Sequence, residues 1–248
     1  MERTNSKNTL IGIALVGLIV VIGILAYNLK GNTNPNEKVV SVTGQSSTTI
    51  APDKAEVYIK ILTEGKSAEE VKNENSKIND NVVNALKDMG ILSKDIETTQ
   101  YYLSPKYIYD DGESKIDGYT LYNQLKVSTT ELERVGRIID KSIDNGANGI
   151  DQVSFVLTKE KEEQIKKEVL TKAASEAKSK AESIATGLGA RLGDLVSVSE
   201  SNFYYPPYIY AEAALKADIA RVGNAESIEI NPQKLEISAS ITAVYKIK

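Results

Sequence analysis

The chain contains no cysteine and no histidine. Without cysteine there are no disulfides, no thiol nucleophile, no thiolate metal site and no lipoprotein-type processing. Without histidine the commonest general base and the commonest transition-metal ligand are missing. Ser-His-Asp and Cys-His catalysis are excluded, so enzymatic chemistry would have to use carboxylates, Lys, Tyr or an imported cofactor. Positive charge is also scarce: 30 Lys and Arg face 34 Asp and Glu, for a net charge of −4. Arg3, Lys7 and Lys30 against Glu2 put residues 1–30 at +2, so the remainder carries −6. A nucleic-acid surface needs clustered cations, and no nucleic-acid partner is expected. The sequence also lacks an Asn-x-Ser/Thr sequon, so N-glycosylation is not indicated.

One stretch lacks charge altogether. Leu10 to Tyr27 reads LIGIALVGLIVVIGILAY, and as a helix it would span roughly 27 Å, close to the hydrocarbon thickness of a bilayer. A secretory signal has a shorter apolar core and a small-x-small exit; the exit here is Leu25-Ala26-Tyr27-Asn28-Leu29-Lys30. The reading is an uncleaved anchor, with a cleaved signal and a buried helix as alternatives. The basic residues on its two sides tilt the positive-inside rule only slightly toward an internal N-terminus. The expected organisation is a cytoplasmic N-terminus (1–9), a transmembrane signal-anchor (10–29), a spacer (30–38) and one extracytoplasmic domain (39–248). About 210 residues are enough for a real core.

Within that domain, Glu56 to Leu62 alternates Val57, Ile59 and Ile61 with polar neighbours, as a half-buried strand does. Ser67 and Glu70 form a capping box ahead of a helical face of Val71, Ile78, Val82, Ala85 and Met89, closed by Gly90. Thr98–Leu103 and Tyr119–Ser128 are strands that pair as a hairpin with a long tip, its turn signalled by Asp110-Asp111-Gly112. A second box, Thr130 to Glu133, opens a helix with Leu132, Val135, Ile139 and Ile143 inward; a strand follows at Val153–Leu157. A third helix, Glu160 to Thr186, buries Ile165, Val169, Ala173, Ala177, Ala181, Ile184 and Leu188. Its alanines allow close approach to a sheet. Strands follow at Leu195–Val198, Ser227–Ile230 and Leu235–Ile247, and a short helix fits Ala211–Ala220. Three loose αβ repeats predict an α+β domain, with helices packed on one face of a mixed or antiparallel sheet.

Asn202 to Tyr210 reads NFYYPPYIY, with five aromatics around two prolines. Phe203, Tyr204, Tyr205, Tyr208 and Tyr210 are the candidate interaction residues, either for a contact outside the domain or for a loop folded back on it. Tyr101, Tyr102, Tyr107, Tyr109, Tyr119 and Tyr122 lie on the hairpin. They suit cross-strand packing, with sugar stacking or redox work as the alternatives. Asp110, Asp111, Glu113 and Asp117 lack the spacing of a calcium loop and read as a solvated turn. Gly187-Leu-Gly-Ala-Arg-Leu-Gly193 follows a helix instead of a strand, which rules out a dinucleotide fingerprint. No catalytic residue, cofactor or metal site emerges.

The ordered set of motifs resembles the SIMPL-domain family, which includes the YggE-like periplasmic proteins. It is carried by Val42-Thr43-Gly44, Pro52-Asp53-Lys54-Ala55, Gly90-Ile91, Asp95-Ile96-Glu97-Thr98, Leu103-Ser104-Pro105-Lys106-Tyr107 and Gly118-Tyr119. It continues through Val135-Gly136, Ile139-Asp140, Gly146-Ala147-Asn148-Gly149-Ile150, Phe155, the Ala-rich helix, Leu192-Gly193 and the strand Leu235 to Tyr245. The resemblance implies an exported or tethered α+β domain without an agreed activity, links to oxidative or envelope stress tolerance, and ring-like or channel-like homo-oligomers. It defines no catalytic residue, and it reads Gly44, Gly90, Gly118 and Gly149 as turn glycines. Two functions are carried forward. One is a single-pass, membrane-tethered extracytoplasmic interaction or assembly module, non-enzymatic and homo-oligomeric, with its protein or glycan partner open. The other is an envelope glycan-binding protein or carboxylate-based hydrolase, for which two acids about 5 to 10 Å apart would suffice.

Overall fold

The computed structural model describes residues 38–110, 112–211 and 232–248. The apolar run at 10–29, the spacer up to residue 37, Asp111 and the strand expected at Ser227–Ile230 lie outside the described residues. So does the helix expected at Ala211–Ala220, except for Ala211, which ends a strand. Among the described residues, no helix is long and apolar enough to cross a membrane.

The elements run β1 (Val39–Ile50), β2 (Lys54–Gly65), α1 (Ala68–Asp88), β3 (Ile96–Asp110), β4 (Glu113–Thr129), α2 (Val135–Asp144), β5 (Gly149–Val156), α3 (Lys159–Gly187), β6 (Leu192–Tyr204), β7 (Tyr208–Ala211) and β8 (Leu235–Ile247). They form two sheets, ordered β1-β8-β6 and β3-β4-β2-β5-β7. Every pairing is antiparallel. The α+β expectation holds, but one sheet has become two, the five-stranded one covered by α1 and α2 and the three-stranded one by α3 alone. The reason begins at Ala51-Pro52-Asp53. Pro52 has no N–H to donate and fixes its φ, so the link does not close a hairpin, and β1 and β2 part into different sheets.

The five-stranded sheet carries Ala55, Val57, Ile59 and Ile61 on one face of β2, with Val127 and Leu125 opposite Val57 and Ile59 on β4 and Leu121 further along, opposite Thr63. Helices α1 and α2 cover that face with Val82, Leu86, Val135, Ile138 and Ile139. The cap of α1 forms as expected: Ser67 Oγ accepts from Glu70 N at 3.2 Å. The second capping box does not form. Residues Leu132–Arg134 make a 3-10 turn instead, and Thr129 Oγ1 accepts from Glu131 N at 3.1 Å. This delays the helix to Val135, buries Ile138 and leaves Ile143 exposed.

The three-stranded sheet packs on α3. Ala173, Ala177 and Ala181 meet Val40, Val42, Ile241 and Ala243, and Ala185 is buried further along the same row. Ile184 and Leu188 lie outside this stripe, and Leu188 is 72% exposed; the buried row advances by four residues at each step and reaches Ala185. Gly44 is mid-strand and not at a turn. A Cβ there would sit 2.0 Å from Ala173 O and 2.5 Å from Ala177 N, so glycine is required for close approach. Gly149 likewise begins β5. Gly90 follows α1 with the positive φ expected of a turn, 88°, whereas Gly118 also has a positive φ, 144°, but lies within β4 beside a register shift and not at a turn.

Candidate functional site

Three chain segments pass side by side between the sheets: Ala51–Asp53, Leu157-Thr158 and Tyr205–Pro207. Asp53 ties the first to the second. Its Oδ1 accepts from Thr158 N at 2.6 Å, and its Oδ2 accepts from Thr158 Oγ1 at 2.9 Å. Tyr205 ties the third, accepting from Leu157 N at its hydroxyl. Burial raises the Tyr205 pKa above its ordinary value.

The aromatic insert is therefore divided. Phe203 and Tyr204 end β6, and Tyr208 and Tyr210 lie in β7, which pairs with β5. The prolines do not keep this segment out of the sheets; they form the corner between two strands. Phe203, Tyr205 and Tyr208 pack on Leu157, Ile165 and their neighbours. Tyr208 and Tyr210 also pack on the core of the five-stranded sheet, with the Tyr208 ring 6.1 Å from Phe155. Lys166 Nζ lies 4.9 Å above the Phe203 ring. Of the five candidates, Tyr204 alone is mostly exposed, at 56%.

Exposed apolar side chains gather elsewhere, on two edge strands. On β3 they are Tyr101, Tyr102, Tyr107, Ile108 and Tyr109, with Ile116 beside them on β4 and Tyr109 83% exposed. On β6 they are Leu195, Val196 and Val198. β3 and β6 each have a neighbour on one side only. The long tip expected for the hairpin is not there, since β3 and β4 stay paired out to Asp110 and Glu113, and the acids near the turn do not converge. Asp110 faces Lys115 at 3.5 Å and Asp117 faces Lys66 at 2.7 Å. Among the described residues, no cluster of three or more acids is placed to hold a metal ion.

The open face of the five-stranded sheet holds the densest polar network. A register shift in the β2–β5 pairing places Gln152 opposite Tyr58 and Ile150 opposite Ile59, leaving Asp151 as the extra residue. A bulge of this kind re-aims a side chain, and the Asp151 carboxylate reaches the face away from the helices. It accepts from Tyr122 Oη and from Gln124 Nε2, the latter at 2.6 Å, and lies 3.6 Å from Lys60 Nζ. Gln124 is held by Thr99, whose hydroxyl donates to its Oε1 at 2.8 Å. Tyr102 stacks on Tyr122 with ring centroids 5.0 Å apart and 22° between planes. Burial, and then the bond to Asp151, push the Tyr122 pKa well above the ordinary phenol value. Tyr58 bonds Glu56 at 3.2 Å, and its pKa is also raised, first by burial.

Two acids do share a depression, of about 330 Å³, at one end of this sheet: Asp95 and Glu131, together with Lys54, Lys94 and Arg134. Glu131 is engaged by Arg134 Nη1 at 2.7 Å, while Arg134 Nη2 donates to Met89 O. Glycoside hydrolysis uses one carboxyl kept protonated by apolar surroundings, and this depression is lined by cations.

Sequence reasoning missed Asp151, Gln124, Lys60 and Thr99. Nothing local marks them; they meet only because β4 and β5 flank β2. It also missed the polar layer beneath α1. There the buried Asn75 donates to Ile61 O at 3.2 Å, and Asn123 donates to Asn75 Oδ1 at 3.0 Å.

The fold defines a two-sheet α+β domain whose polar and apolar surface features lie on open faces and edges. The chain belongs to the SIMPL family, described as proteins of unknown function (DUF541), which it matches over residues 40–245. It is 27% identical over 240 residues to the 26 kDa periplasmic immunogenic protein of Brucella melitensis, covering 93% of this chain and 94% of that protein. It is 26% identical over 217 residues to the uncharacterized protein YggE of Escherichia coli K12, covering 87% and 86%.

Proposed function

We propose that this protein is a membrane-tethered, extracytoplasmic, non-enzymatic module that assembles with copies of itself edge to edge. The observation that carries the reading is the placement of exposed apolar side chains on the outer strands β3 and β6. Edge strands are normally protected by charge or cover, and apolar edges are where chains pair. The two edges differ in sequence, so a contact between them is heterologous and propagates into a ring or a filament. Tyr204, at the end of β6, extends that strand's apolar surface; the rest of the insert supports the domain's own core. Tethering through residues 10–29 would hold the domains in one plane and raise their effective concentration. The periplasmic relative supports an extracytoplasmic location. Tolerance of envelope or oxidative stress is the physiological role proposed for the assembly.

The test is sedimentation of the purified chain in detergent. The parent should be oligomeric. Val198→Lys and Tyr109→Ser should each give smaller species, and mixing the two variants should restore a dimer, because each retains the edge the other lacks. Tyr204→Ser should weaken assembly with melting unchanged. A monomeric parent at high concentration would remove the self-association claim, and a mature protein beginning near Asn28 or Gly31 would remove the tether.

A further inference from the structure

We infer that Tyr102 and Tyr122 form a built-in site of one-electron oxidation that closes to a dityrosine cross-link. The inference is independent of self-assembly. It starts from composition: the chain has no Cys, Trp or His, two Met and thirteen Tyr. A one-electron oxidant that reaches this protein therefore finds its readily oxidised rings among the tyrosines. A phenol at neutral pH must lose its proton with its electron, so the favoured tyrosine is one already bonded to a fixed proton acceptor.

Tyr122 has that partner. Its hydroxyl donates to Asp151, and the carboxylate is held in place by Gln124 at 2.6 Å and Lys60 at 3.6 Å. Thr99 orients Gln124 in turn. Tyr122 also has a second ring within coupling range. Tyr102 is its direct cross-strand partner, stacked at 5.0 Å. Tyr102 is 52% exposed and Tyr122 half-buried, so one ring is open to oxidant while the other is shielded from quenching. Tyr58 also bonds a carboxylate, Glu56, but the stacked tyrosine pair is Tyr102 with Tyr122, and Tyr101 and Tyr109 are more exposed than Tyr102. Reactivity set by exposure alone would favour those two.

The chemistry balances with two equivalents of a one-electron oxidant, such as a peroxyl radical or an oxidised peroxidase haem. The first equivalent takes an electron from Tyr122 as the phenolic proton moves to Asp151, leaving a neutral phenoxyl radical. The second takes an electron from Tyr102, whose proton goes to water. The two radicals join through a carbon–carbon bond between ring positions ortho to oxygen. The hydrogens on those carbons then shift to the oxygens and restore two phenols. Two electrons and two protons leave in total, and β3 is covalently joined to β4.

The test treats the dilute full-length protein in detergent with peroxidase and hydrogen peroxide, followed by proteolysis and mass spectrometry. The expected product is a Tyr102–Tyr122 peptide pair two hydrogens lighter than its parts, with dityrosine fluorescence and a yield independent of dilution. Tyr102→Phe should abolish it, and Tyr109→Phe should leave it intact. Asp151→Asn, with the parent's near-ultraviolet circular dichroism retained, should lower the yield about tenfold. Cross-links distributed by exposure and centred on Tyr109 would overturn the inference, as would an Asp151→Asn variant that couples as fast as the parent.

Discussion

The two halves of the molecule bring a helix onto a sheet in opposite ways. The five-stranded half fills the space with large side chains, among them Phe155, Ile59, Ile61, Leu86, Leu125 and Ile138, all under 2% exposed. The three-stranded half removes the space: Gly44 and the alanines of α3 let β1 and α3 come into near-backbone contact. Close packing of the kind protein interiors require is approached by filling in one half and by omission in the other. Their sensitivities should therefore be reversed. One half suffers from atoms removed, the other from atoms added.

The largest effect is expected in the filled half. Phe155→Ala should cost about 3–5 kcal/mol, because it leaves a cavity and takes away the ring against which Tyr208 seats β7. Chemical denaturation measures it; a loss below 1 kcal/mol would mean that the site collapses freely and the contrast is weaker than drawn. Next comes addition to the close-packed half. Gly44→Ala should cost about 3 kcal/mol, and Ala177→Leu or Ala181→Leu about 1–3 kcal/mol, by overpacking. If these variants melt with the parent, α3 stands further from β1 than described.

A smaller effect sharpens the comparison at a helix end. Ser67→Ala removes the cap of α1 and should cost about 1 kcal/mol. The equivalent position before α3, Thr158, makes no cap bond within its own helix and is held instead by Asp53. Thr158→Ala should therefore loosen the junction between the sheets as well as the helix start, seen as faster hydrogen exchange at the Asp53 amide. The smallest effect is one of pH. Glu176 accepts from Gln45 N and from Lys180 at 2.9 Å, and the backbone bond, followed by that to Lys180, holds its pKa below the usual carboxylate value. A depressed acid contributes its stabilisation above its unfolded pKa and loses it as pH falls through the folded one. Exchange at the Gln45 amide should accelerate below about pH 4, and Glu176→Gln should remove most of that step.

Much of the local structure was legible in the residues. The alternation at Val57–Ile61, the box at Ser67–Glu70, the hairpin turn and the alanine row depend on spacings of two to four residues, and such spacings survive into any fold. The second capping box failed because Thr129 offered its hydroxyl to Glu131 first. The aromatic insert was the harder case. Its composition demanded a partner for the rings, but only strand pairing could decide that β5 would be that partner and leave Tyr204 outside. The outward edges, where the exposed tyrosines and valines lie, could not be separated from interior strands, since the order β3-β4-β2-β5-β7 is not written in any one segment.

By itself the sequence excluded histidine and cysteine chemistry, set the α+β content, marked the starts of α1 and α3 and the glycine stops but not the start of α2, and pointed to the SIMPL family. Tertiary structure alone decided the split into two sheets and the role of Gly44 as a contact. It also decided the folding-back of Phe203, Tyr205, Tyr208 and Tyr210, and the meeting of Tyr122 with Asp151 across 29 residues. The physical reason is range. Backbone preference and hydrophobic period act between near neighbours along the chain. Which strands lie together is settled by the burial of whole faces and by the one bulge that turns a carboxylate toward a tyrosine.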